Sequence, residues 1–149
     1  MTAYPWTTVT PVQGKQTGTE EFARLMCKRF GFKNLGTWVV RPIRGGTAWS
    51  VHAAGAAFDA GYGTEAKDRA AALDAMDWVI RNATQLGVVA AHDYAANPPR
   101  AWRCDRQAWK TFTGGELGPG GRWFHLELDP SHASMSASSF RAIWMGLPK

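Results

Sequence analysis

The first helical pattern of apolar residues lies near the start of the chain. Phe22, Leu25, Met26 and Phe30 recur every three or four positions, and Gly31 follows where a helix C-terminal glycine is expected. The pattern predicts a helix of about three turns from Thr19.

A longer helical pattern occupies the middle of the chain. Thr64 is a favourable N-cap residue, the pattern runs to Leu86, and Gly87 provides the stop. The stripe predicted to face the core consists of Ala70, Leu73, Met76, Ile80 and Ala83.

Strand-like patterns occupy four other stretches. Residues 37–43, TWVVRPI, are β-branched and aromatic and end at Pro42, and residues 87–94, GVVAAHDY, are similarly apolar. Residues 100–112, rich in Trp and Arg, predict an irregular strand or a hairpin. Residues 122–129, RWFHLELD, alternate so that three side chains share one face: Trp123, His125 and Glu127.

The order of these elements predicts an α+β fold with a small, mainly antiparallel sheet flanked by helices, because helices and strands mix without a regular βαβ alternation. The length of 149 residues suits a single domain, 1–149. Within it, residues 1–18 predict an extended N-terminal arm and residues 114–121 a flexible loop. Residues 130–149 predict a last short helix or the start of a linker.

Composition narrows the possible partners. A net charge of +5 and a pI near 9.6 favour an anionic partner, but the basic residues form no long run, so we expect no nucleic-acid role. The chain has neither a membrane-spanning stretch nor a signal-peptide pattern, which predicts no membrane partner. Its two cysteines are far apart, which favours the reduced state, with a single disulfide left open. Eight tryptophans are many for this length, and such rings often line a ligand groove.

Three side chains suggest a metal site. His52 and Asp59 flank a short segment of small residues around Gly55, and His125 lies on a distant predicted strand. Two imidazoles and a carboxylate are the protein ligands of many catalytic zinc sites, which leave the fourth position to water. The segment from Ser50 to Asp59 therefore predicts zinc chemistry if His125 approaches it.

The same segment resembles a known family. SVHAAGAAFD, residues 50–59, matches every fixed position of the SxHxxGxAxD motif of the M15 family of zinc peptidases, which includes D-Ala-D-Ala carboxypeptidases and phage endolysin L-Ala-D-Glu peptidases. WFHLEL, residues 123–128, is similar to the late strand that carries the family's last histidine. RPIRGGTAWSVH, HDY and AWRCDRQAW are similar to peptidase domains of actinobacterial phage lysins, and the likeness covers about residues 37–129.

The resemblance implies the hedgehog and D-Ala-D-Ala peptidase type of fold, with zinc on His52, Asp59 and His125. It implies that Ser50 orients a ligand or the motif's turn. It also implies that Arg44, with Arg41 as the second choice, polarises the scissile carbonyl or binds a substrate carboxylate. The implied function is hydrolysis of the stem peptide of bacterial peptidoglycan by a monomeric phage endolysin domain. Such a protein is made in the host cytoplasm without a signal peptide and acts on the cell wall after release. The bond cleaved stays open between L-Ala-D-Glu, D-Ala-meso-diaminopimelate and terminal D-Ala-D-Ala.

The chain departs from the family at the catalytic base. Arg122 and Trp123 stand where family branches carry a glutamate or a histidine, so another group must take the proton. Strand alternation makes Glu127 the first candidate, and Glu116, on the glycine-rich loop, is the second. The departure also leaves open an inactive module that binds the cell wall.

Two histidines stand outside this proposal. His92, in a predicted strand, is expected to be structural, although a hydrogen bond within the site is an alternative. His132, after Pro130, is expected at the surface.

Overall fold

A computed structural model describes residues 2–149 and contains five α-helices and six strands within that range. The helices are α1 (Thr17–Phe30), α2 (Ala66–Arg81), α3 (Ala83–Leu86), α4 (Pro130–Ser134) and α5 (Ala137–Met145). The strands are β1 (Lys33–Asn34), β2 (Ala57–Gly61), β3 (Val88–Asp93), β4 (Arg100–Arg103), β5 (Ala108–Thr111) and β6 (Trp123–Leu128). A 3-10 helix, Val51–Ala54, precedes β2.

The six strands form one sheet in the order β1-β2-β6-β3-β4-β5, and every neighbouring pair is antiparallel. The predicted α+β class with an antiparallel sheet in a single domain is therefore confirmed. β6 comes last in the chain but lies between β2 and β3, so it brings its side chains next to those of two much earlier strands.

Alternation along β6 separates a core face from an open face. Phe124, Leu126 and Leu128 are fully buried in the hydrophobic core, and on β2 the ring of Phe58 meets that of Phe22 from α1 at 6.0 Å. Since neighbours in a strand point to opposite faces, the intervening residues of β6 point away from α1. The open face is the one that carries the polar residues of β2 and β6.

The two predicted helices are present, with small differences. α1 ends at the predicted glycine, because Gly31 adopts a left-handed φ of 74° that suits a residue without a Cβ. The central helix begins one residue later than predicted, with Glu65 and Asp68 forming a capping box, and it is interrupted at Asn82 before Gly87 ends α3.

The predicted core stripe of the central helix is confirmed except at its start. Met76 and Ala83 are buried, and Leu73 and Ile80 are half-buried against the core. Ala70, by contrast, is exposed. Because alanine occurs at several neighbouring positions, the sequence marks the edge of the stripe poorly.

The predicted strand at residues 37–43 is wrong. The residues just before this segment occupy the free side of β2: Lys33 and Asn34 pair with it, and Leu35 N donates to Asp59 O at 3.0 Å. The backbone of residues 37–43 instead bonds to the segment that follows: Val39 N donates to His52 O at 3.3 Å. The side chains of Val39 and Val40 are correspondingly 42% and 45% exposed.

Both chain ends pack onto the domain. The arm ends where α1 begins, at Thr17, and Val12 N donates to Ala53 O at 2.9 Å. Residues 130–149 contain α4 and α5, and α5 buries Phe140 and Trp144. Both cysteines, Cys27 and Cys104, are free thiols. No helix among residues 2–149 is long and apolar enough to cross a membrane.

Candidate metal centre

Three residues, His52, Asp59 and His125, form what we call the candidate centre. One ligand atom from each lies within 4.8 Å of the others. His52 Nε2 is 3.1 Å from Asp59 Oδ2, and His125 Nδ1 is 3.0 Å from Asp59 Oδ1. The residues that the sequence predicted as metal ligands are therefore adjacent, although 66 positions separate Asp59 from His125.

Strand register accounts for one side of the candidate centre. Asp59 of β2 stands directly opposite His125 of β6, and His125 stands directly opposite His92 of β3. Directly opposed residues of antiparallel strands have Cβ atoms about 4.5–5.5 Å apart, so their side chains meet. A row of carboxylate, imidazole and imidazole therefore crosses three neighbouring strands.

The turn before β2 positions His52. Ser50 Oγ accepts a hydrogen bond from His52 N at 3.3 Å and so caps the 3-10 helix. Gly55 ends that helix with φ 66°, and a Cβ there would lie 2.7 Å from Gln16 Cγ. Glycine at this position is thus needed both for the backbone turn and for the close approach of the arm.

The small residues after Gly55 let the chain pass into the sheet. Ala56 and Ala57 are completely buried, and β2 begins at Ala57. Asp59 follows two residues later on the open face, which places its carboxylate against the His52 imidazole.

His52 has buried polar atoms that lack hydrogen bonds. Its residue exposure is 2%, and neither Nδ1 nor Nε2 makes a hydrogen bond among the described residues, although Nε2 lies 3.1 Å from Asp59 Oδ2. Buried polar groups without partners are rare in folded proteins. A cation bound between His52 and Asp59 would satisfy the imidazole lone pair, so these residues fit a divalent metal such as zinc.

His125 is held by carboxylates on both sides. Its Nδ1 faces Asp59, and its Nε2 is 3.0 Å from Glu127 Oε1. Burial alone would lower the pKa of His125, but the hydrogen bonds to Asp59 and Glu127 outweigh it and raise the pKa to about 9.

The two carboxylates have correspondingly low pKa values. Burial would raise the pKa of Asp59, but its contacts with His125 and His52 hold it well below its usual range. Burial likewise opposes ionisation of Glu127, yet the hydrogen bond to His125 lowers its pKa to about 2. The imidazole of His125 therefore lies between two ionised carboxylates, one from the candidate centre and one from Glu127.

A cavity of about 290 Å³ opens above the candidate centre. Asp59 and His125 line its floor, and the arm forms one wall with Tyr4, Trp6 and Val9. The other walls come from the segment that contains Arg41, Arg44 and Trp49 and from the glycine-rich loop with Glu116. The cavity is large enough for part of a peptide, and it places arginines and tryptophans around the candidate centre.

Three of the eight tryptophans line the cavity. Trp6, Trp49 and Trp123 line the cavity, whereas Trp78, Trp102 and Trp144 belong to the core. The same composition therefore serves both packing and the walls of a groove.

The other sequence-predicted site residues also reach the cavity. Arg41 and Arg44 both line it, and so do Glu116 and Glu127. Glu127 is only 3% exposed, and both of its carboxylate oxygens have partners. Arg122, three positions before His125, donates to Gly63 O at 3.2 Å.

Two more residues are neighbours of the candidate centre. The ring of His92, for which the sequence left a role within the site as the alternative to a structural one, lies 4.9 Å from that of His125 and lines the cavity. Burial, followed by the nearby charge of His125, lowers the pKa of His92 to about 4. Tyr4, within the arm, hydrogen bonds to Glu127, and no local pattern marks it.

His132 is separate from the cavity. Its Nδ1 lies 2.8 Å from Asp129 Oδ2 at the start of α4, and its Nε2 is 3.2 Å from Gln85 O. These contacts give it a structural role at a half-buried position.

Comparisons of the chain with protein-family models, with curated proteins and with solved structures gave no match.

Proposed function

We propose that this protein is a zinc-dependent peptidase that hydrolyses the stem peptide of bacterial peptidoglycan, as the catalytic domain of a phage endolysin. The observation that carries the proposal is the convergence of His52, Asp59 and His125, of which Asp59 and His125 line an open cavity. The resemblance of residues 50–59 to the peptidase motif supports the substrate class.

The residues of the cavity would have separate roles in metal binding and in substrate binding. His52, Asp59 and His125 hold the metal, and the chemistry that zinc supplies there is Lewis-acid activation of water and of the scissile carbonyl. Arg44, at the cavity wall, binds the carbonyl oxygen or a substrate carboxylate, since a guanidinium pairs well with either.

The reaction also requires a group that takes a proton from water and passes it to the leaving amine. Apart from Asp59, the carboxylates that line the cavity are Glu127 and Glu116. Glu127 is buried beside His125, and Glu116 is exposed on the glycine-rich loop, where its Oε2 accepts from Gly114 N at 3.0 Å. Both are candidates for the proton transfer.

The remaining walls serve to bind a peptide. Trp6, Trp49 and Trp123 offer apolar surface, and the net charge of +5 favours an anionic cell wall. Two exposed apolar side chains, Ile43 and Trp49, extend this surface at the cavity entrance.

The direct test is digestion of purified peptidoglycan. We expect the zinc-loaded protein to release new amino termini, and mass spectrometry of the muropeptides would identify the bond cleaved. His52→Ala should abolish the release, while His132→Ala, a histidine substitution away from the cavity, should preserve it. Full activity of His52→Ala would contradict the proposal.

One observation favours a second candidate function, an inactive module that binds the cell wall. Arg122 replaces the family's glutamate, and its side chain bonds to Gly63 O. Under this alternative the protein binds zinc and sediments with peptidoglycan but generates no new amino termini.

A further inference from the structure

The N-terminal arm reaches a neighbour of the candidate centre, Glu127, through Tyr4. The Tyr4 hydroxyl donates to Glu127 Oε2 at 2.6 Å, across 123 positions of sequence. Two residues later, Trp6 Nε1 donates to Leu128 O at 2.8 Å, which fastens the arm beside the end of β6. The ring of Tyr4 also lies under the guanidinium of Arg103, at 4.1 Å. These three contacts hold the arm in place beside the carboxylate of Glu127.

Each carboxylate oxygen of Glu127 already has a side-chain partner. Oε2 accepts from Tyr4, and Oε1 is 3.0 Å from His125 Nε2. With the residue only 3% exposed, these two contacts are what offset the cost of burying its charge. Both contacts therefore fix the carboxylate in one orientation.

The two ring nitrogens of His125 differ in their surroundings, although each faces a carboxylate at 3.0 Å: Nδ1 that of Asp59 and Nε2 that of Glu127. The carboxylate of Asp59 also approaches His52, whereas that of Glu127 is held by Tyr4. A neutral imidazole has one N–H donor and one acceptor nitrogen. A cation between His52 and Asp59 would therefore take the lone pair of Nδ1, and the N–H at Nε2 would donate to Glu127.

We propose that Tyr4 and Glu127 are positioning residues that fix the tautomer and ring orientation of His125, so that Nδ1 is its metal-binding nitrogen. This inference rests on the proposed metal centre. Metal-binding histidines usually donate their other N–H to such a carboxylate. With this role Glu127 does not act as the general base, and Glu116 is the glutamate of the cavity that takes the proton.

The test compares two tyrosine-to-phenylalanine substitutions. Tyr4→Phe removes the hydroxyl on Glu127 but keeps the ring beside Arg103. Tyr62→Phe is the matched control, because its hydroxyl also has a partner, Arg69 at 2.8 Å, but does not contact the cavity. Zinc affinity is measured by competition with a chromophoric chelator, and melting of the metal-free proteins verifies folding.

We expect Tyr4→Phe to weaken zinc binding about 10-fold, within the range of about 10- to 100-fold found when such outer partners are lost. Tyr62→Phe should bind zinc as the wild type does. Replacement of zinc by cobalt should give a visible spectrum that changes in Tyr4→Phe and not in Tyr62→Phe. Equal affinity and equal spectra for Tyr4→Phe and the wild type would overturn the proposal.

Glu127→Gln separates positioning from catalysis. We expect zinc affinity to fall about 10-fold or more, because an amide holds the His125 N–H less strongly than a carboxylate. If Glu127→Gln binds zinc with wild-type affinity and loses only turnover, Glu127 is the base and the proposal is wrong. If the wild type binds no zinc, the proposed metal centre is wrong. This outcome differs from equal zinc affinities of the wild type and Tyr4→Phe, which would contradict only the positioning role.

Discussion

Asp59 and His125 face each other across the β2–β6 pair, with Oδ1 3.0 Å from Nδ1. The same carboxylate reaches His52 with its other oxygen, at 3.1 Å. Asp59 therefore connects the turn of the motif with the sheet. This contact depends on strand register, since a shift by one residue would turn His125 into the hydrophobic core.

Loss of one imidazole should abolish zinc binding. We expect the wild type to bind one zinc per chain, and His125→Ala to retain less than a tenth of that after dialysis, because two protein ligands hold the metal poorly. Elemental analysis of the dialysed proteins measures this. His132→Ala should keep the full stoichiometry, and retention of zinc by His125→Ala would exclude this residue as a ligand.

The stability of the metal-free protein should depend on pH through His125. Its pKa, about 9 in the folded protein against 6.5 ordinarily, is raised. Protonation therefore contributes stability that is fully present below about pH 6.5 and is lost as the pH rises through about 9. We expect the melting temperature of chelator-treated protein to fall over this interval. A His125→Gln variant should show a shallower fall, and equal slopes would contradict the assignment.

Acid should destabilise the folded protein through protonation of Glu127. Its pKa is lowered to about 2 from 4.5, so the stability contributed by ionisation is present above about pH 4.5 and is lost as the pH falls through about 2. Melting curves between pH 5 and pH 2 measure the effect, and Glu127→Gln should flatten them. A Glu127→Gln variant that loses stability as steeply as the wild type would contradict the prediction.

Gly55→Ala should destabilise the fold and the metal site together. The residue has φ 66°, and a Cβ would approach Gln16 Cγ at 2.7 Å. We expect a loss of about 1–2 kcal/mol in the free energy of unfolding from the left-handed backbone alone, with weaker zinc binding. Urea denaturation and chelator competition measure the two effects. Gly14→Ala, where a Cβ meets nothing within 4 Å, is the control and should change neither.

Asp93 should be important for stability but not for zinc binding. Its fully buried carboxylate pairs with Arg69 at 2.8 Å and with Arg100 at 3.1 Å. Removing one partner of a buried ion pair leaves uncompensated charge, so Asp93→Ala should cost about 3–5 kcal/mol. Asp105→Ala, which breaks the more exposed pair with Arg103, should have little effect. Denaturant titration compares the two, and similar losses would contradict the argument.

Arg44→Ala should impair substrate binding while leaving zinc in place. Arg44 lines the cavity wall and lies outside the candidate centre. Loss of a charged hydrogen bond to substrate predicts a decrease in kcat/KM of about 10- to 100-fold. Steady-state kinetics on soluble muropeptides measure it, with Arg41→Ala as the comparison. An Arg41→Ala effect larger than that of Arg44→Ala would reverse their proposed roles.

The sequence alone determined the elements with a strong local signal. Gly31 and Gly87 marked helix ends, and alternation along β6 placed His125 and Glu127 on one face. These signals are local, because a left-handed glycine or a period of two is visible within a few residues. The spacing of His52 and Asp59 around Gly55 was readable for the same reason.

Only the tertiary structure decided which distant residues meet. The position of β6 between β2 and β3 brought His92 next to His125, and the arm brought Tyr4 to Glu127. The pairing of β1 with β2 likewise left residues 37–43 outside the sheet. Strand order and the docking of an arm depend on competition between distant segments, and local sequence patterns do not record its outcome.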